Sequence, residues 1–261
     1  MTKHLKRNLI IYGIFAGLYL LFNYIPFSYL IANEYAYLGF KMGFYVILST
    51  ALIIVKHKYH IEIEVPEKQI SVLWLLPLMI ICFAHPLYAI LFNEETYEEI
   101  EVGILLFDSA SDIFVSIAED VIFVDLYISI LLEITKKYKY KRVTCVLLAA
   151  ITFTILHCYT FIYRDVFESL VILVTVFFLI MECGYAAIYF DSAVIPVVLH
   201  AAFNEINFVI FEQVYHLQDR NWKYALFLLL ILTLTSCYLA AIHRMSTLQK
   251  YKPDFHQDEV E

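Results

Sequence analysis

The sequence predicts an all-α, polytopic membrane protein with about eight transmembrane helices. Three observations predict it. The chain is 62% hydrophobic with a mean hydropathy of +0.72, whereas soluble domains run near 45–50% apolar. The apolar residues fall in continuous runs of roughly 20, the length that crosses a bilayer as a helix, and do not alternate as strands would. Lysine and arginine collect in every second connection, the asymmetry expected of a chain threaded back and forth through a membrane.

The spans follow in order. Lys3, Lys6 and Arg7 precede the run 9–31, which is too long for a signal peptide and lacks a small-residue cleavage site, so it reads as a retained first span. Runs 35–55 and 70–92 give the second and third. The segment 104–134 is too long for one upright helix and holds Asp108, Ser109, Ser111 and Asp112. It is expected to be an interfacial or re-entrant lead-in followed by a tilted fourth span. Runs 143–162, 169–190, 193–215 and 222–242 complete the set. With eight spans, four basic regions share one side: the N-terminus, the loop with Lys56, Lys58 and Lys68, the loop from Lys136 to Arg142, and the tail with Arg244, Lys250 and Lys252. That side is expected to be cytoplasmic, with both termini there. The acidic stretch NEETYEEIE, 93–101, falls opposite. A composition rich in Ile, Tyr, Phe and Lys and poor in Gly suits a low-GC bacterium and its plasma membrane.

The chain divides into N-terminal helices (1–103), a core (104–215) and a last helix with its tail (216–261). The net charge of −8 comes from acids in loops and near the tail, and no basic patch points to nucleic acid. Cys82, Cys145, Cys158, Cys183 and Cys237 are scattered, with no CxxC pair, so neither a disulfide framework nor a zinc ribbon is indicated; they read as small buried apolar residues. His57 and His60 in HKYH have metal-pair spacing but read as a solvated basic loop. No inverted repeat supports a transporter.

Ionisable residues at bilayer depth mark a functional interior or an internal pair. Here they cluster in the second half: Glu119, Asp120 and Asp125 in the fourth span, His157 in the fifth, Glu182 in the sixth, His200 and Glu205 in the seventh. The first three spans hold chiefly Lys41 and His85. Glu182, Glu205 and Asp125 are expected to pair with nearby lysines or face water. His200 and Asn204, four apart, share a helix face, as do Phe153 and His157. A carboxylate, two imidazoles and a carboxamide can perform hydrolysis. The carboxylate takes a proton from water, and low dielectric strengthens it as a base. Imidazole and carboxamide N–H groups stabilise an oxyanion. One Glu and two His equally suit a zinc ion, and the residues alone leave both chemistries open.

Three motifs in order give the chain a family resemblance. EDVIFV at 119–124 stands where EExxxR is expected, FTILH at 153–157 matches FxxxH, and HAAFN at 200–204 matches HxxxN. Over about residues 105–210 the sequence resembles the CPBP family of CAAX proteases and bacteriocin-processing proteins, also called Abi. Gly184 and the break with Pro196 before the last motif add to the likeness. The resemblance implies an intramembrane endopeptidase acting on a small peptide precursor or membrane protein, in bacteriocin or pheromone processing or self-immunity. It also implies roles: Glu119 as the water-activating base, seconded by Asp120; His157 and His200 binding the water or oxyanion; and Asn204 supporting the oxyanion. The family has been described both as zinc-dependent and as metal-free glutamate proteases, and the metal-free form is preferred here.

The sequence also departs from the pattern. The second Glu is Asp120, and the family Arg is Val124, followed by Asp125. Arginine would pair with the buried carboxylates; without it, two neighbouring carboxylates share a proton. Arg164 lies on the wrong side of the motif to substitute. Simple counting also sets Glu119 and His200 at different depths unless the fourth span is tilted. These departures define the alternative expectation: a catalytically weak or inert scaffold that regulates a membrane partner such as a sensor kinase.

Overall fold

The first apolar run folds as α1, Lys3–Tyr24. Thr2 caps it by accepting the Leu5 N–H at 3.1 Å, and Pro26 stops it: Ile25, forced out of helical backbone by the following proline, is extended. The helix therefore begins and ends earlier than the run 9–31, and a single turn, α2 (Phe27–Leu30), follows. Asn33 then caps α3, Glu34–Tyr59, by accepting the Ala36 N–H at 2.9 Å. α3 ends at His60 in the left-handed conformation, φ 51°.

The computed structural model describes residues 2–61, 63, 80, 83, 84, 87, 88, 91, 101–138, 140–190, 194–207 and 222–249. Most of the expected third span, residues 93–100 of the acidic stretch, and the tail after 249 lie outside them.

The fourth segment has no re-entrant break. α4 (Val102–Glu119), a π-helical segment (Asp120–Leu126) and α5 (Tyr127–Ile134) follow one another without interruption, roughly 50 Å of helix. The aspartates that suggested an interfacial lead-in instead have a partner: Lys41 of α3 lies 3.3 Å from Asp108 and 2.7 Å from Asp112. Pairing against a neighbouring helix removes their need for water.

α6 (Lys141–Leu156) gives way at His157 to a 3-10 turn, His157–Tyr159, and a short α7, Thr160–Tyr163. α8 (Val166–Phe190), α9 (Val194–Asn204) and α10 (Trp222–Gln249) follow. Every regular element among the described residues is helical. Among the described residues, five stretches are long and apolar enough to cross a membrane: Lys3–Tyr24, Glu34–Tyr59, Lys141–Tyr163, Val166–Tyr189 and Trp222–Ala241.

The π segment is the centre of the packing. All seven of its residues are buried, and α1, α3, α6, α8 and α9 all contact it. α3 lies along α4, and α6 lies along α8. Gly184 permits close approach there, because an added Cβ would stand 3.1 Å from Ile128 and 3.2 Å from Val146. Outside, the helices present Ile14, Leu21, Ile47, Ile54, Ile155 and Leu230. Inside lie Glu119, Asp120, His157, Glu182 and His200. Apolar outside and ionisable inside is the arrangement a bilayer selects. Cys145 and Cys183 are buried, but Cys158 and Cys237 are exposed; on apolar outer faces a thiol needs no burial in protein.

Candidate active site

The sequence set Glu119 and Asp120 next to each other, and the change from α to π helix occurs at that junction. Wide turns of this kind recur at functional sites. Both carboxylates meet the same imidazole. His200 Nε2 lies 3.3 Å from Glu119 Oε2, and His200 Nδ1 lies 3.3 Å from Asp120 Oδ1. The depth mismatch suggested by counting is therefore absent: the long helix and α9 set the two motifs level.

α9 and α4 meet through two successive rungs. His200 faces Glu119 and Asp120. One turn on, Asn204 Nδ2 donates to Ser116 Oγ at 3.0 Å, and Ser116 Oγ in turn donates to the Asp112 carbonyl at 2.9 Å. The HxxxN face thus reads the SxxED face of the opposing helix. One carboxamide hydrogen of Asn204 remains beyond the Ser116 bond, since a primary amide has two.

His157 approaches from the other side. Its Nδ1 is 3.0 Å from the Phe153 carbonyl and its ring is 4.2 Å from the Phe153 ring, which fixes the imidazole plane. Nε2 then points to Glu119 Oε1 at 3.7 Å. The helix tightens to 3-10 geometry at this residue, so FxxxH spans the end of a helix.

No sequence pattern marks Tyr19 on α1. Its hydroxyl donates a hydrogen bond to Glu119 Oε1 and stands 3.4 Å from His157 Nε2. Tyr19 is fully buried, edge-on to Phe123 at 5.2 Å. Asn23, one turn along, donates to the Tyr19 carbonyl and to the Tyr45 hydroxyl, both at 2.9 Å. A lone hydroxyl among 21 tyrosines has no spacing signature. Ser116 did: it lies three and four residues before the acidic pair, on their face.

A cavity of about 560 Å³ opens onto this cluster, lined among others by Tyr45, Glu119, His157, His200 and Asn204. Asp120 is absent from its wall; the side chain is 2% exposed, behind His200. Of the other ionisable residues, Asp125 forms an ion pair with Lys56 of α3. Glu182 is 1% exposed and turns toward Thr235 of α10, so it meets a hydroxyl where the sequence suggested lysine or water. Arg164 pairs with Glu168. Val124 is fully buried among apolar side chains. Among the described residues no three His, Cys, Asp or Glu side chains are grouped so as to hold a metal ion.

The helices and their buried carboxylate–imidazole cluster define a multi-pass membrane protein with a polar interior. Residues 101–206 match the sequence model of the family described as type II CAAX prenyl endopeptidase Rce1-like. Over that segment the chain is similar to the CPBP family of CAAX-type membrane proteases. No curated protein and no solved structure matches it.

Proposed function

We propose that the protein is a glutamate-type intramembrane endopeptidase that hydrolyses a peptide bond in a small precursor or membrane protein. One observation carries this reading: Glu119, on the wall of a cavity, is flanked by two imidazoles that approach its two oxygens separately. Glu119 takes a proton from water, and the water oxygen attacks the peptide carbonyl. His200 and the remaining amide hydrogen of Asn204 face the developing oxyanion. Collapse of the tetrahedral species breaks the C–N bond, and Glu119 returns its proton to the leaving amine. Asp120 faces His200 Nδ1 at 3.3 Å and sets its orientation electrostatically, while a hydrogen bond to the Phe153 carbonyl holds His157. The charge that Val124 fails to supply is replaced by His200 between the carboxylates and by Lys56 at Asp125. The N-terminal helices serve as a buttress for the catalytic core.

The setting we favour is a bacterial plasma membrane with both termini cytoplasmic and a peptide of the bacteriocin or pheromone type as substrate. The second reading, an inert scaffold acting on a membrane partner such as a sensor kinase, is favoured by Val124. Its apolar burial leaves no cation at the position where the family carries arginine. Cells carrying Glu119→Gln or His200→Gln, at unchanged membrane abundance, separate the two. Accumulation of an intact precursor, as in the deletion, supports the protease; full complementation by both variants supports the scaffold. Retention of precursor cleavage by purified protein after chelator treatment is expected of the metal-free chemistry.

A further inference from the structure

At the end of the bundle where α1 begins, α3 ends and α5 ends, a second cavity of about 570 Å³ opens away from the catalytic cluster. Its lining includes His4, Arg7, Lys58, His60 and Lys136, with Glu133 as the one acid among the described lining residues. Basic residues at one end of a membrane protein are expected from topology alone. Their convergence on one cleft from three separate helices is not. Three features build the cleft. Arg7 is held in place: its Nη2 donates to the Tyr59 carbonyl at 3.3 Å and to Asn8 Oδ1 at 3.1 Å, and its guanidinium lies 4.5 Å from the centre of the Tyr59 ring. Lys58 Nζ sits over the same ring at 5.6 Å. The left-handed residue that ends α3 turns the chain so that His60 joins the lining. Glu133 accepts from Thr2 Oγ1 at 2.7 Å, and no carboxylate pairs with Arg7, Lys58 or Lys136 among the described residues.

We infer that this cleft binds a phosphate-bearing anion, placed by its level at the helix ends to take the headgroup of an acidic phospholipid. A fixed guanidinium with ammonium groups beside it matches a phosphate diester, and basic pockets between helices at a membrane surface recognise such headgroups. The inference does not depend on the proposed protease activity.

The test uses the full chain in an uncharged detergent. Thermal unfolding is followed against dioctanoyl phosphatidylglycerol, dioctanoyl phosphatidylcholine and inorganic phosphate at matched ionic strength. Saturable stabilisation by phosphatidylglycerol above phosphatidylcholine is expected, with half-saturation raised at least about tenfold in Arg7→Gln/Lys136→Gln. Should Arg7→Gln fold poorly, Lys58→Gln/Lys136→Gln, in which both side chains are exposed, is expected to weaken binding in the same direction. Equal saturation by inorganic phosphate alone supports the anion site and assigns it to a soluble phosphate. Identical responses to the two lipids with none to phosphate, or unchanged half-saturation in both double variants, overturns it.

Discussion

The hydroxyl of Tyr19 donates to the Glu119 carboxylate while standing 3.4 Å from His157 Nε2. A helix outside the family-matched segment thereby touches the central carboxylate. Tyr19→Phe keeps the ring and its packing on Phe123 and removes only the donor. A hydrogen bond to a charged group is worth about 1.5–3 kcal/mol, so turnover is expected to fall roughly ten- to a hundredfold with folding intact. The measurement is precursor cleavage alongside a melting curve; a variant as active as wild type would make Tyr19 merely structural.

Glu119 and Asp120 are expected to separate in kind. Glu119→Gln removes the proposed base and should lower cleavage by about 10²–10⁴. Asp120→Asn leaves the base in place and disturbs only the orientation of His200, so the loss should be smaller and accompanied by a shifted pH profile. Equal losses and equal profiles for the two variants would contradict the assignment.

Asn204→Ala removes one proposed oxyanion donor and is expected to cost about 10²–10³ in turnover. Ser116→Ala removes only the partner that fixes the amide, so a milder loss is expected. Steady-state rates of the two single variants and the double variant check this. Because both act through one contact, the double should resemble Asn204→Ala, and full additivity would argue against a shared rung.

Lys56→Met leaves Asp125 buried without its cation and is expected to destabilise the protein by about 3–5 kcal/mol. Lys56→Met/Asp125→Leu replaces the pair by apolar side chains and should recover most of that loss. Thermal inactivation in detergent measures both, and a double variant no better than the single would show that the pair is more than mutual neutralisation.

Much of the fold was legible because lipid imposes a simple rule on composition. Continuous apolar runs gave α1, α3, α6, α8 and α10 to within a few residues at most ends. The ends that moved have local causes, such as Pro26 at the close of α1. The fourth segment was harder. Asp108 and Asp112 looked like residues seeking water, because their partner Lys41 lies on another helix and pairing across helices leaves no local pattern. The same limit applies to the site. HxxxN and FxxxH place side chains along one helix, which spacing can express. That His200 bridges Glu119 and Asp120, or that Tyr19 reaches Glu119, depends on how helices are laid side by side. The π segment was hidden too, since DVIFVDL has the composition of ordinary apolar helix.

α3 carries two ammonium groups, Lys41 and Lys56, and their partners Asp108, Asp112 and Asp125 all belong to the later α4–π–α5 segment. The ribosome therefore delivers the cations well before the anions. Lys41 is the eighth residue of α3 and Lys56 the fourth from its end, so until the acidic segment follows both depend on reaching toward the membrane surface. A product truncated before Asp108 is therefore expected to leave both ammonium groups without these carboxylates.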